Sequence, residues 1–182
     1  LREPFLRYVH MSRAFPNKSD KNRYWYTGYY LRQVVRQHVL ASPSVFNFYL
    51  PDYQPAGEIT AAGLVAPEFK LHNTATSIGY INLIHYGAFG SLMQSWEGSY
   101  PDDPDEVYLD TEALENLSYD AEALINELDI LLTHGQLSEG TRHILRKTLD
   151  AIYWNSDNQY KYYRARLAIF LIMISPDYNC VK

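Results

Sequence analysis

The chain has 182 residues, 47% of them apolar and 20% charged, with a formal charge of -5; this is the composition of an ordinary globular domain and excludes a disordered, collagenous or coiled-coil protein. A single cysteine, Cys180, excludes an internal disulfide, the cysteine-rich zinc frameworks and c-type haem attachment. The longest apolar run, Leu167 to Ile174, falls well short of the roughly 20 residues that span a bilayer, no signal-peptide pattern is present, and an opening on Leu1 reads as a mature product or a fragment.

Hydrophobic periodicity is helical along most of the chain. Residues 2–14 place Phe5, Leu6 and Val9 on one stripe that Phe15 could extend, with Pro4 in the first turn and Pro16 as the stop. A polar then aromatic loop follows, and Tyr29 to Leu40 puts Tyr30, Leu31, Val34, Val35, His38 and Val39 on a face. Pro43, Pro51, Pro55 and Pro67, with Gly57 and Gly63, make the next stretch an ordered loop. Its four aromatics, Phe46, Phe48, Tyr49 and Tyr53, are too many for a solvated connection, so the loop is expected to lie on the helices and plug a groove.

From Pro67 the spacing predicts one helix to about His85, closing near Gly87 and Gly90. Residues 96–110 read as a surface loop in which Asp102, Asp103, Asp105 and Glu106 lack the spacing and glycine of an EF-hand. Asp110 is expected to cap a short helix to Leu117, Ser118 a second one closed by Gly135, and Ser138 a third from Glu139 to Trp154. A last helix over residues 157–174 is apolar all round in its second half, which makes Phe170 and Leu171 central core, and Ser175-Pro176 stops it. No alternating strand run and no fixed-period repeat is present. The fold class is all-α: a single domain over residues 1–182, an irregular multi-helix bundle with one long proline-rich ordered loop.

Charge is laid out in blocks. Residues 1–50 carry eight Lys/Arg against Glu3 and Asp20, whereas thirteen carboxylates lie between Glu97 and Glu139 with no Lys or Arg from Leu71 to Thr141. Solvated helix faces are the favoured reading; the alternatives are basic ends packed on the acidic middle, with Arg142, Arg146 or Arg164 expected to reach acids of residues 110–129, or contact with a charged partner. Net acidity argues against a nucleic-acid partner.

The run from Pro43 to Gly57, SVFNFYLPDYQPAG after its first proline, and the run AGLVAPEF from Ala62 to Phe69 resemble the C-terminal signature of the bacterial domain-of-unknown-function 1800 family. The resemblance extends to Arg2-Glu3-Pro4, Arg13-Ala14-Phe15, Leu137-Ser138 and Ser175-Pro176-Asp177-Tyr178. Tyr49 and Leu50 depart mildly from it, at positions where relatives more often carry Phe and Ser. It implies the C-terminal portion of a larger, mostly helical, exported bacterial protein, periplasmic or extracellular, encoded beside a member of the sulfatase-related domain-of-unknown-function 1501 family, which would be its partner.

Chemical candidates are few. Glu68 and His72, at i, i+4 on the expected helix, would share one face and could supply two metal ligands, but no second paired ligand accompanies them and a hydrogen-bonded structural pair is the favoured reading. No Walker A, GxGxxG or G-x-S-x-G frame is present, and no cofactor is expected. The chain holds 17 tyrosines and three tryptophans, and Tyr24, Trp25 and Tyr29 cluster as rings do at interfaces and sugar-binding surfaces. The sequence therefore points first to a structural or interaction module that packs on its own N-terminal region and a partner. A carbohydrate-binding module with Tyr24, Trp25 and Tyr29 coplanar in a groove comes second. Third is part of a hydrolase in which Glu68, His72 and Asp52 would meet residues from a missing N-terminal portion.

Overall fold

The computed structural model describes residues 1–19, 28–92, 107–152 and 159–180. The fold is all-α, with a two-stranded ribbon as the sole sheet among the described residues. The first helix, α1 (Pro4–Ala14), has proline in its first turn, where a missing N–H costs nothing, and Pro16 follows its extended C-cap Phe15. Its buried face is Pro4, Arg7, Tyr8 and Met11; of the expected stripe Phe15 is buried and Phe5 packs partly buried against the core, whereas Val9 is half-buried and Leu6 exposed. Strand β1 (Asn17–Lys18) then pairs antiparallel with β2 (Tyr108–Leu109), Asn17 opposite Leu109.

Helix α2 (Gly28–Val35) is shorter than expected. Arg36 adopts a left-handed backbone, φ 58°, and turns the chain away, so His38 and Val39 leave the helical face. The α2 axis passes close to α4 (Thr74–Phe89) at Gly79, where a Cβ would stand 2.0 Å from the Val34 carbonyl oxygen. A glycine is needed there because the two backbones touch.

The predicted helix from Pro67 is divided. Pro67–Leu71 form a 3₁₀ turn that ends at His72, and α4 starts afresh from Asn73 through a capping box. The Asn73 side chain accepts from the Thr76 N–H at 3.1 Å, and Thr76 Oγ1 accepts from the Asn73 N–H at 2.9 Å. Between α2 and that turn lies a chain of tight turns with one helical turn, α3 (Glu58–Ala61). The groove plug does not form: Val45 is 95% exposed and Phe46 58%, and the other three aromatics, Phe48, Tyr49 and Tyr53, are no more than half-buried. Local hydrogen bonds close the turns on themselves, from the Asn47 N–H to the Ser44 carbonyl at 3.2 Å and from the Ala66 N–H to the Tyr53 carbonyl at 2.9 Å, so their side chains stand off the helices.

After β2 the helices follow the charge and cap signals closely. Asp110 accepts from the Glu112 N–H at 3.1 Å and opens α5 (Glu112–Leu117). Ser118 closes α5 rather than opening the next helix, donating to the Glu115 carbonyl at 2.7 Å; Asp120 instead caps α6 (Ala121–Leu128) through the Glu122 and Ala123 N–H groups. The last residues widen into a π-helical turn, Asp129–Thr133, terminated by His134 at φ 57°. Ser138 caps α7 (Glu139–Asp150) and Ser175 caps a final turn, α9 (Pro176–Asn179), where a simple stop was expected.

Helix α8 (Gln159–Ile174) is the hub, packed on α4, α5, α6, α7 and α9. Its Ala165, Ala168, Ile169, Ile172 and Met173 are solvent-free, while Phe170 and Leu171 lie partly buried at the edge of the core. Basic ends do clasp the acidic middle. Lys18 lies 2.9 Å from Asp110, Arg142 lies 3.5 Å from Glu122 and also pairs with Asp129, and Arg146 pairs with Glu122. Arg164 donates to backbone carbonyls instead, among them Ser118 at 3.0 Å.

Candidate functional site

A polar cluster joins the start of α1 to the proline-rich loop and to α9 near the end of the described chain. Glu3 is its first centre. The two carboxylate oxygens accept from the Tyr49 hydroxyl and the Gln37 amide, and the Gln37 carbonyl in turn accepts from the Phe5 N–H at 2.9 Å. Gln37 is buried, so this contact moors the base of the loop to α1. Burial, followed by the charges of Glu3 and Glu68, raises the Tyr49 phenol above its ordinary range.

Arg7 is the second centre. It is 2% exposed, its guanidinium carbon stands 4.0 Å from the Tyr80 ring centroid, and it donates to the Asn179 side chain. No hydrogen bond or ion pair to a carboxylate holds it among the described residues, and its Nε has no hydrogen-bond partner. The cation is held by the Tyr80 ring face and by the Asn179 side-chain oxygen. Tyr80 donates to the Met173 carbonyl at 2.9 Å, and Tyr178 donates to the Arg7 carbonyl at 2.6 Å. Burial pushes both phenols upward. With Tyr49, they are proton-holding donors at neutral pH, which suits them to fixing backbone and carboxylate groups rather than abstracting protons.

The sequence-derived candidates are dispersed by this geometry. Glu68 belongs to the 3₁₀ turn and His72 to its end, so the helical i, i+4 face expected for them does not exist. No hydrogen bond or ion pair joins the two. Glu68 acts on Tyr49, whereas His72 packs edge-on to Phe69 at 6.2 Å and lies 3.5 Å from the Ser77 hydroxyl. Burial and the Arg7 charge hold His72 below the ordinary histidine range. Asp52 is exposed in the loop. Among the described residues no three His, Cys, Asp or Glu side chains gather so as to hold a metal ion.

Tyr24, Trp25 and the acidic run Asp102–Glu106 lie outside the described residues, as does the side chain of Tyr29 in the first turn of α2. No helix of the described residues is long and apolar enough to cross a membrane.

Arg7 was legible in one respect: Tyr8, Met11 and Phe15 recur at i, i+3, i+7 and place Arg7 beside them on the inward face. Nothing in the spacing announces Asn179 or Tyr80 as its partners. The chain matches no family model, no curated protein and no solved structure.

Proposed function

We propose that this chain is a helical interaction module, the C-terminal portion of a longer exported bacterial protein, which packs through its proline-rich loop on the region preceding it. The carrying observation is the exposure of Leu40, Val45, Phe46, Leu50, Leu64 and Val65, all within that loop and all more than half exposed. Each such side chain contributes about 1.5–3 kcal/mol only when taken out of water, and concentrations of exposed apolar side chains mark contact surfaces. The Glu3, Gln37 and Tyr49 contacts hold the base of the loop, so it presents these residues from a moored support. The resemblance of the same segment to the domain-of-unknown-function 1800 signature favours the same reading.

A second surface is left for a protein partner. Helix α4 has no charged residue, yet Ile78, Ile81 and Tyr86 face outward. The exposed side of α4 mixes Ile78, Ile81 and Tyr86 with Thr74, Asn82 and His85, a half-apolar face of the kind found at contacts. The candidate for this face is a member of the sulfatase-related domain-of-unknown-function 1501 family.

Photo-crosslinking tests the first surface. With p-benzoylphenylalanine in place of Phe46 in the longer protein, irradiation is expected to join this position to a peptide preceding Leu1. Abundant protein with no such product would overturn the reading.

A further inference from the structure

A second cluster, independent of the loop, ties the two ends of the described chain together through histidines. The His10 ring of α1 stacks on the His134 ring with centroids 5.6 Å and planes 17° apart, and on the Tyr178 ring with centroids 5.6 Å and planes 20° apart. Arg2 completes the group, its guanidinium carbon 5.2 Å from the Tyr178 centroid and its Nη1 3.4 Å from His10 Nδ1. The Arg2 N–H donates to the Asn179 carbonyl at 2.8 Å. His134 holds its place with a left-handed backbone, φ 57°, at the end of the π-helical turn.

The charges around His10 are all of one sign. Arg2 precedes its own helix, His134 comes from the π-helical turn, and Tyr178 of α9 is a phenol that keeps its proton. Helix α2, which also packs on α1, sends no titratable group that acts on the ring. No carboxylate among the described residues acts on the His10 ring itself; a backbone hydrogen bond with Leu131 alone favours the charged imidazole.

Neutral His10 can accept the Arg2 N–H at Nδ1. Protonation turns that nitrogen into a donor facing a donor and sets an imidazolium beside Arg2 and a second imidazole.

We propose that the stack of His10, His134 and Tyr178 is an acid-sensitive clasp, holding α1 against the π-helical turn and α9 at neutral pH and releasing it when the His10 imidazole takes up a proton. Burial, then Arg2, then His134 depress the affinity of His10 for a proton in the folded chain. The unfolded chain therefore binds a proton first as pH falls through about 6.5. The contribution of the clasp is fully present above that value and is lost as pH falls toward the lower folded value. His72 shifts in the same direction and needs its own control. Ordinary carboxylates stay ionised above about pH 5, so the window is separable from acid denaturation.

Amide hydrogen exchange of the whole chain at pH 7.5 and 5.5, corrected for intrinsic rates, reads the effect. Amides of α1 are expected to lose protection at pH 5.5, by at most about tenfold, the ceiling set by lying one pH unit below the unfolded histidine value of about 6.5, while those of α6 and α8 keep theirs. His10→Phe, which retains a stacking ring without a titrating group, should abolish the difference. His134→Asn, whose residue tolerates a left-handed backbone, should reduce it, and His72→Gln should leave it in place. Equal protection at the two pH values in the wild type, or an undiminished difference in His10→Phe, overturns the proposal. Should His10→Phe not fold, the titration of the wild-type His10 ring by NMR decides: a midpoint below 6.5 supports the clasp and one at or above it overturns the clasp.

Discussion

Helix α8 and the proline-rich loop are built from the same kinds of residue and have opposite fates. Ile169, Ile172 and Met173 are fully out of water, whereas Leu40 and Val45 are almost wholly in it. The difference lies in what backbone regularity permits. An α-helix satisfies its own N–H and C=O groups, so α8 can be enclosed on most sides by α4, α5, α6, α7 and α9 without stranding a polar group. The loop satisfies its backbone through short turns such as Asn47 to Ser44, and burying such a segment deeply would strand the remaining groups. Apolar content thus becomes core in one region and a waiting surface in the other.

The core side of the comparison carries the largest expected effects. Ile172→Ala should destabilise the chain by about 2–5 kcal/mol, as cavity-forming changes in a close-packed interior do; Phe170→Ala, at the core edge, should cost less. Denaturant unfolding of both variants checks the order, and a larger loss for Phe170→Ala would show that the centre has been misplaced.

Asp129 extends the same logic to a buried charge. Its side chain is 3% exposed and accepts from Arg142, from the Thr133 hydroxyl and from the Leu137 N–H at 3.0 Å. Removing one partner of a buried pair costs about 3–5 kcal/mol. Asp129→Ala should fall near the lower figure, because Arg142 retains partial access to water and a second carboxylate, Glu122, at 3.5 Å. A loss under about 1 kcal/mol, the value of exposed pairs, would show that the π-helical turn does not depend on this carboxylate.

Gly79 tests the seam between the regions, where α2 leads into the loop. A Cβ at Gly79 meets the backbone carbonyl of Val34 at 2.0 Å, whereas one at Gly87 meets only the flexible end of the Met11 side chain at 2.6 Å. Gly79→Ala should cost about 1–3 kcal/mol through forced separation of the helices, and Gly87→Ala less, since Met adjusts its rotamers readily. Melting curves of the pair check it; equal shifts would mean that the α2–α4 crossing is looser than the structure shows.

The two regions also differ in how far the sequence revealed them. Helices α6, α7 and α8 follow from 3–4 spacing and from cap residues such as Ser138, because local rules and tertiary packing agree there. Ser118 misled because two cap residues stand two positions apart, and its buried hydroxyl is consumed in closing α5. The helix expected from Pro67 overlooked Asn73 and Thr76, whose reciprocal bonds fix a later start and thereby remove the face that Glu68 and His72 were to share. The loop was read correctly as ordered turns from its prolines and glycines. Its standing off the core was not legible, since periodicity reports which residues are apolar and not whether a neighbour exists to cover them. The contacts of Arg7 with Tyr80 and of His10 with His134 join elements distant in sequence, and no local pattern encodes such meetings.

The smallest effect is the sharpest test of the comparison. Phe46 is 58% exposed and its N–H is bonded within its own turn, to the Ser44 hydroxyl at 3.2 Å. Phe46→Ser removes a ring that encloses little, so the stability of the chain alone should stay within about 0.5 kcal/mol, as for surface changes generally. A comparable truncation in α8 costs several times more. Proteases should also cut between Val45 and Tyr53 before they cut α5 to α8, since cleavage requires local access rather than global unfolding. In the longer protein the same bonds should be protected, and Phe46→Ser should restore cutting there, because the ring would then be part of a buried contact. A loss of 2 kcal/mol or more in the chain alone would place Phe46 in the core and end the distinction between the two regions. Cutting at an equal rate in both contexts would preserve the distinction and remove the docking role of the loop.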